Sequence, residues 1–390
     1  MRRIAFLSTL IMFFCITGIT AQTDLSAKVG KGIRLQTDDN LFTLKLTTRI
    51  QTRWEFNNTL GSSYTDKDGV YHSSPETTFE NKAFVKRARI KFDGTFLNEN
   101  LMYKIEYDVA GGYVRDALVK YKMNNFEIWF GQGKLPGNRE RIVSSANLQM
   151  ADRSVFNKYY TLDRDAGLQI HHKFKLGKAL VYDRWAVSSG SGITDNDFAP
   201  GISLTGKLEV LPLGEFKSKG HYKSGDLSRE ETPKVAFACY ANFNKDAYKD
   251  RGQVGSNIGG EADLLNIGGD FLLKYRGYSL MLEAGTRSVT DDDNEFVYDN
   301  SGSIVDAYYT GYGANIQTGY VFKNNWEFSG RYAFTKPNEV KYHKEITDYT
   351  FAISKYIIGH NFKVQGDVTY RDMPTNQNEL ITRIQMEFQF

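Results

Sequence analysis

The side chains best suited to chemistry lie in one polar stretch, Gly131 to Asp165 (GQGKLPGNRERIVSSANLQMADRSVFNKYYTLDRD). It sets Lys134, Arg139, Arg141, Arg153, Lys158 and Arg164 against Glu140, Asp152, Asp163 and Asp165. Crowded into a narrow wet passage, such cations favour anions; on an open loop they would be ordinary solvated charge. Other candidate sites lack partners. His171 and His172 are adjacent in an extended segment, so they face opposite ways and cannot share a metal. The run Asp291, Asp292, Asp293, Asn294, Glu295 offers oxygen ligands without the spacing of a calcium loop. Gly190–Ser191–Gly192 has no strand-to-helix context for a phosphate cradle. Ser188, Ser189 and His172 form no nucleophile elbow. No enzyme, no cofactor and no metal is expected.

The elements holding that loop are strands. Side chains on a strand alternate between two faces, and that period runs through the chain. Phe42, Leu44, Leu46, Ile50, Trp54 and Phe56 share one face, against Lys45, Thr47, Arg49, Gln51 and Arg53. Leu101, Tyr103, Ile105, Tyr107 and Val109 oppose Lys104, Glu106 and Asp108. Ala117, Val119 and Tyr121 oppose Asp116, Lys120 and Lys122. The last segment sets Leu380, Ile384, Met386, Phe388 and Phe390 against Arg383, Gln385, Glu387 and Gln389. Sixteen such segments are predicted, centred at about 49, 87, 105, 118, 128, 170, 183, 205, 238, 269, 282, 315, 330, 351, 365 and 384. Their connections alternate long and short. The links at 57–78 and 131–165 are long, whereas Gly177–Lys178 and Arg276–Gly277 are tight. Two links break the rule: Gly111–Gly112 is too short, and the stretch 211–232 is too long.

Nearly every polar face carries long charged side chains, and a ring of sixteen strands is too wide for side chains to fill. The pattern therefore predicts inversion, with apolar rows against lipid and charged rows around water. Closure would pair every backbone group, as hydrocarbon demands. The fold class expected is all-β: a transmembrane antiparallel β-barrel of sixteen strands with long external loops. Its lumen wall would carry Lys45, Arg49, Arg53, Arg87, Arg89, Lys91, Lys104, Lys120 and Lys122. Small hydrophilic solutes or ions would diffuse through it, and outer-membrane lipid of a Gram-negative bacterium would surround it.

Composition agrees. Of 390 residues 14% are aromatic and only 7 are proline, as strands and aromatic girdles require. Mean hydropathy is −0.46, and no apolar run beyond the N-terminus reaches the ~20 residues of a membrane helix. Residues 1–21 read as a cleaved signal peptide: Arg2 and Arg3 precede an apolar run ending at Ala21. Residues 22–40 would be a short periplasmic segment, too short for a plug domain, and 41–390 the barrel. Cleavage removes two arginines from a formal net charge of +3, leaving a nearly neutral chain with no call for a nucleic-acid partner. Cys239 would then stand alone, so no internal disulfide can form.

Several pieces resemble the phosphate-selective porin O and P family: Val85 to Asp108, Gly131–Gln132–Gly133–Lys134–Leu135–Pro136 with Glu140, Asp152–Arg153–Ser154, Leu204 to Pro212, and Trp326 to Tyr332. The resemblance spans nearly the whole chain after the leader. It implies a homotrimer, a third external loop folded inward, and a lumen basic enough to pass anions. Lys134 matches the lysine of the family's Gly-Gln-x-Lys-x-Pro motif, and Arg153 the basic residue of its Arg-Ser pair. Pore constriction and anion binding are thus expected of Lys134, Arg139, Arg141, Arg153 and Arg164. Phe390 resembles the terminal aromatic by which barrel-assembly machinery recognises outer-membrane barrels.

The chain departs from the family in one respect. Its nearest match to a long arginine ladder is Arg87, Arg89 and Lys91, and these face Lys104, Glu106 and Asp108 across the sheet. Summed around the whole wall, basic residues only slightly exceed acidic ones. A general channel with mild anion preference is therefore expected ahead of a phosphate-like anion-specific one, and a structural or adhesive barrel with a closed lumen is the remaining alternative.

Overall fold

The computed structural model describes residues 23–28, 30–73, 75–193, 199–290 and 295–390. The leader expected over 1–21 and the acidic run Asp291 to Asn294 lie outside them. The chain forms a closed barrel of sixteen antiparallel strands: β1 (Thr43–Thr59), β2 (Thr78–Phe96), β3 (Asn98–Asp108), β4 (Tyr113–Met123), β5 (Phe126–Lys134), β6 (Arg164–Leu176), β7 (Ala179–Ser188), β8 (Ser203–Leu211), β9 (Lys234–Arg251), β10 (Val254–Tyr275), β11 (Tyr278–Val289), β12 (Gly311–Val321), β13 (Trp326–Pro337), β14 (Ile346–Ile358), β15 (Phe362–Asp372) and β16 (Glu379–Gln389). Every predicted centre falls inside its strand. β16 closes on β1 in register from Glu379↔Thr59 to Gln389↔Arg49. Thr48 and Phe390 extend the seam with reciprocal backbone hydrogen bonds of 2.9 and 3.1 Å.

Both described termini lie at one end, which we call periplasmic. There Thr23–Lys28 and Gly32–Thr37 form a hairpin whose second strand pairs with the foot of β1, from Ile33↔Leu46 to Gln36↔Thr43. Thr23–Lys28 and Gly32–Thr37 thus extend the sheet just below the point where β16 stops.

The inversion is plain in the burial of side chains. Ile50, Trp54, Ile105, Val119, Trp185, Leu204 and Ile384 are exposed, whereas Arg49, Gln51, Arg53, Lys207, Glu209, Gln385 and Glu387 are buried. Exposed aromatics form rows near both rims: Tyr278, Tyr320, Phe322, Trp326 and Phe388 toward the periplasmic end, Trp54, Phe79, Tyr312 and Tyr349 toward the other.

Strict alternation slips at several bulges, two of them beside the open side of the lumen. Gln51 faces Arg87 and Thr52 faces Val85, so Lys86 is an extra residue in β2. In the same way Glu106 faces Asp116 and Tyr107 faces Val114, leaving Arg115 extra in β4. Each bulge flips the faces beyond it, and the second puts Arg115 and Asp116 both inside, where they are buried.

The two irregular connections also have physical reasons. At Gly111–Gly112 the chain reverses tightly: the Gly112 amide donates to the Asp108 carbonyl at 2.7 Å, with Gly112 at φ 74°. The long link between β8 and β9 is periplasmic and folds up into the lumen. Its Phe216 packs on Leu180, Leu211, Ala236, Leu272 and Met281, an apolar patch on the inner wall.

Candidate functional site

Among the described residues, two segments enter the lumen and line one side of it. From the external side comes the third loop, 135–163, containing the short helices α1 (Arg139–Ile142) and α2 (Val155–Tyr160). The wall binds it by matching donors to acceptors. Arg139 is 1% exposed; its Nε donates to Asp270 at 2.6 Å and one terminal nitrogen lies 2.8 Å from Glu209. Glu283 accepts from the Glu140 amide at 2.7 Å, and Asp367 from the Ala151 amide at 3.0 Å. Gln149 donates to Glu327 at 2.6 Å. In the other direction, Lys207 and Lys363 donate to the carbonyls of Gly137 and Leu148, each at 2.7 Å. Charge-assisted bonds of this kind are the stronger class. Nearer the mouth, Phe156 and Tyr160 sit over Gly313, where a Cβ would come within 3.1 Å of Phe156 and 2.6 Å of the Phe334 carbonyl. Gly313 is thus the space that α2 occupies.

From the periplasmic side comes the segment 212–233. Lys274 donates to the carbonyls of Gly220 and Lys223, both at 2.8 Å, and of Gly225 at 2.5 Å. Asp226 accepts from the Gly277 amide at 2.7 Å. The two inward segments meet. The Ser224 amide donates to the Asn147 carbonyl at 2.9 Å, and Arg139 to the His221 carbonyl at 3.0 Å. His221 is 1% exposed and neither ring nitrogen has a hydrogen-bond partner. Burial pushes its pKa down to about 4.

Together they fill the lumen along β8 to β16 and leave it open along β2 to β7. The opening has a volume of 1530 Å³ and reaches from Gly255 on the external β9–β10 hairpin to Asn124 at a periplasmic turn. Sixteen lysines and arginines line it against six carboxylates. The upper cations are largely paired. Arg89 bonds Asp108 at 3.0 Å and Glu106 at 3.1 Å. Arg164 donates to Asp116 at 2.7 Å, and Arg141 pairs with Asp163. Lower down, Lys120 lies 3.4 Å from the centroid of Trp129, whose ring stacks on His171 at 4.0 Å. Neither Lys120 nor Lys122 has a carboxylate partner among the described residues.

Of the expected wall residues, Arg87, Arg89, Lys91, Lys104, Lys120 and Lys122 line this opening. Arg49 and Arg53 do not. The third loop covers them: Arg49 donates to Ser145 at 2.7 Å and Arg53 to Asp152 at 2.8 Å. Burial alone would raise the Asp152 carboxyl, but Arg53, Lys86 and Arg87 hold it well below the usual carboxylate range. Lys45 sits at the foot of β1, away from the opening.

Of the expected constriction residues, Lys134, Arg141, Arg153 and Arg164 line the opening, while Arg139 turns into the opposite wall. Lys134 is a brace: its ammonium donates to the carbonyls of Arg141 and Ile142 at 2.7 and 3.0 Å. Arg153 does the same for Glu140 and Val143 at 3.0 and 2.8 Å. Phe390 is outward-facing, its ring 5.7 Å from that of Phe388. His171 faces in and His172 out; His172 pairs with Asp183 at 2.9 Å. Sequence reasoning missed Arg115, hidden by its bulge, and Arg184, Lys219 and Tyr222, of which the last two come from the periplasmic segment.

A closed barrel of sixteen strands, apolar outside and charged within, narrowed by an inward third loop, has the fold of an outer-membrane porin, and this surface belongs in the outer membrane of a Gram-negative bacterium. No family model and no curated relative matches the chain. Solved structures do. A loop-deletion mutant of OmpT, an outer membrane protein of Vibrio cholerae, superposes with TM-score 0.54 at 13% identity, over 90% of this chain and 100% of that one. The trimer form of OmpT gives 0.51 at 14% identity, over 90% and 99%. An anion-selective porin from Comamonas acidovorans gives 0.53 at 11% identity, over 90% and 100%.

Proposed function

We propose that this protein is a non-catalytic channel for passive diffusion of small hydrophilic solutes, with a preference for anions. The observation that carries the reading is the charge of the open wall, sixteen basic side chains against six acidic. In a narrow path walled by low-dielectric material, such an excess concentrates counter-ions. The arginines of the upper lumen stand beside carboxylates, so the excess field comes from the lower lysines, Lys120 and Lys122, which have only Glu127 beside them and make no ion pair with it, together with Lys134 and Arg153, which spend their donors on neutral carbonyls. That arrangement suits a broad anion preference better than a phosphate-specific site. An opening that reaches both rims argues against a closed structural barrel. The porin fold and the trimeric OmpT relative support assembly as a homotrimer.

Purified protein in a planar bilayer under a KCl gradient tests this directly. Stepwise openings with a reversal potential of the sign for chloride permeation are expected. Absence of steps removes the channel reading, and the sign for potassium removes the anion preference.

A further inference from the structure

The periplasmic rim is uneven. Around the β10–β11 and β12–β13 turns, four cations sit at the level of the aromatic row. Arg229, on the return arm of the inward segment, lies 5.6 Å from the ring centroid of Tyr320 and donates to the Val321 carbonyl. Arg276 lies 5.1 Å from the ring of Tyr275. Lys355 lies 5.2 Å from the ring of Trp326 and donates to the Asn324 carbonyl at 2.7 Å. Lys323 is exposed on the same turn. The turns interlock, since the Val321 amide donates to the Gly277 carbonyl at 2.8 Å, so the four charges form one patch.

None of the four has a carboxylate partner among the described residues; the ion pairs near this end, Lys217 with Glu231 and Lys173 with Glu215, involve other side chains. By contrast, the β2–β3 and β14–β15 turns carry Leu97 and Gly359–His360–Asn361, with no Lys or Arg. Long basic side chains lying over interfacial aromatics keep their charged heads at headgroup depth, and a guanidinium fork matches a phosphate.

We propose that this arc binds the phosphate headgroups of anionic phospholipids in the periplasmic leaflet, in preference to zwitterionic ones. The barrel's position in the bilayer brings that leaflet to the patch, and basic residues at a membrane surface attract anionic lipid.

The test uses the full chain in nanodiscs of equal parts phosphatidylglycerol and phosphatidylcholine, extracted into mild detergent, with retained lipid quantified by mass spectrometry. Several-fold enrichment of phosphatidylglycerol is expected, returning to the input ratio in R229Q/R276Q/K323Q/K355Q. Should that variant fail to insert, K323Q/K355Q decides, because Lys323 and Lys355 lie outside the packed lumen; it should lose part of the enrichment. Retention at the input ratio in the unaltered chain, or enrichment unchanged in the variants, overturns the proposal. So does loss of enrichment on adding millimolar inorganic phosphate at constant ionic strength, which would mark a free-anion site.

Discussion

The lumen wall from β2 to β7 and the wall from β8 to β16 are built from the same alternating strands, yet they do opposite things with charge. On the second arc the carboxylates Glu209, Asp270, Glu283, Glu327, Asp367 and Glu387 are all buried. Most are taken up by donors of the third loop and by wall cations, such as Arg139 on Asp270 at 2.6 Å and Lys363 near Glu387 at 3.8 Å. On the first arc the basic side chains line the opening. The field a solute meets is therefore not the summed charge of the wall. It is the charge left over once the inward segments have taken their partners. A wall nearly balanced in sum becomes a polarised one because its acids anchor the inward segments.

The strongest way to break this division is to free the acids. Arg139→Leu takes the loop's guanidinium from the buried Glu209 and Asp270 and leaves them only the wall cations Arg184 at 3.1 Å and Lys207 at 3.3 Å, so the cost stays below the about 3–5 kcal/mol of a fully uncompensated buried charge. The third loop should undock locally while the barrel stays closed. Amide exchange over residues 138–151 should rise by orders of magnitude, and single-channel conductance should grow and become noisy. Unchanged exchange there would mean that Arg139 is not what pins the loop.

A second comparison pits the two arcs against each other. Lys120→Glu with Lys122→Glu reverses two charges on the open arc that make no ion pair among the described residues and should carry the reversal potential toward the potassium value. Glu387→Gln removes a charge from the filled arc, where Gln51 donates to the carboxylate at 2.8 Å, and should leave the reversal potential where it was. Equal shifts from both variants would make the summed wall the right description after all.

How much of this was readable in the residues follows from which forces are local. Alternation is local, so all sixteen strands and the inversion were legible, from Phe42–Phe56 to Leu380–Phe390. Bulges are not: nothing in Val114–Arg115–Asp116 announces that two consecutive side chains will point inward, so Arg115 went unseen. The inward third loop was expected from resemblance alone. Its anchors join residues as far apart as Arg139 and Asp270, which no spacing reveals. That is why Arg49 and Arg53, expected on the lumen wall, sit on its inner face but under the loop, and Arg139, expected at the constriction, lies behind it. The periplasmic segment did leave a trace. Leu180, Leu211, Ala236, Leu272 and Met281 occupy inward positions where water would disfavour them, and such a patch implies a lid.

That lid supplies the smallest expected effect. His221 is packed against the rings of Tyr182, Phe216 and Tyr222. Burial pushes its pKa down to about 4; Glu209 from β8 opposes the shift, while Arg139 from the third loop, Arg184 from β7 and Lys274 from β10 add to it. A free histidine protonates near 6.5, so the undocked segment binds a proton that the docked one refuses. Docking is thus at full strength above about 6.5 and weakens as pH falls toward about 4. One unit below the free value the loss is about 1 kcal/mol, a several-fold change in opening. Amide exchange over 215–224, corrected for its intrinsic pH dependence, should accelerate by that factor between pH 7 and 5.5 while the third loop stays protected. In His221→Gln the acceleration should vanish, because no group at that position then titrates. An equal acceleration in that variant would assign the acid response to other groups, and the two inward segments would have to be treated as one unit.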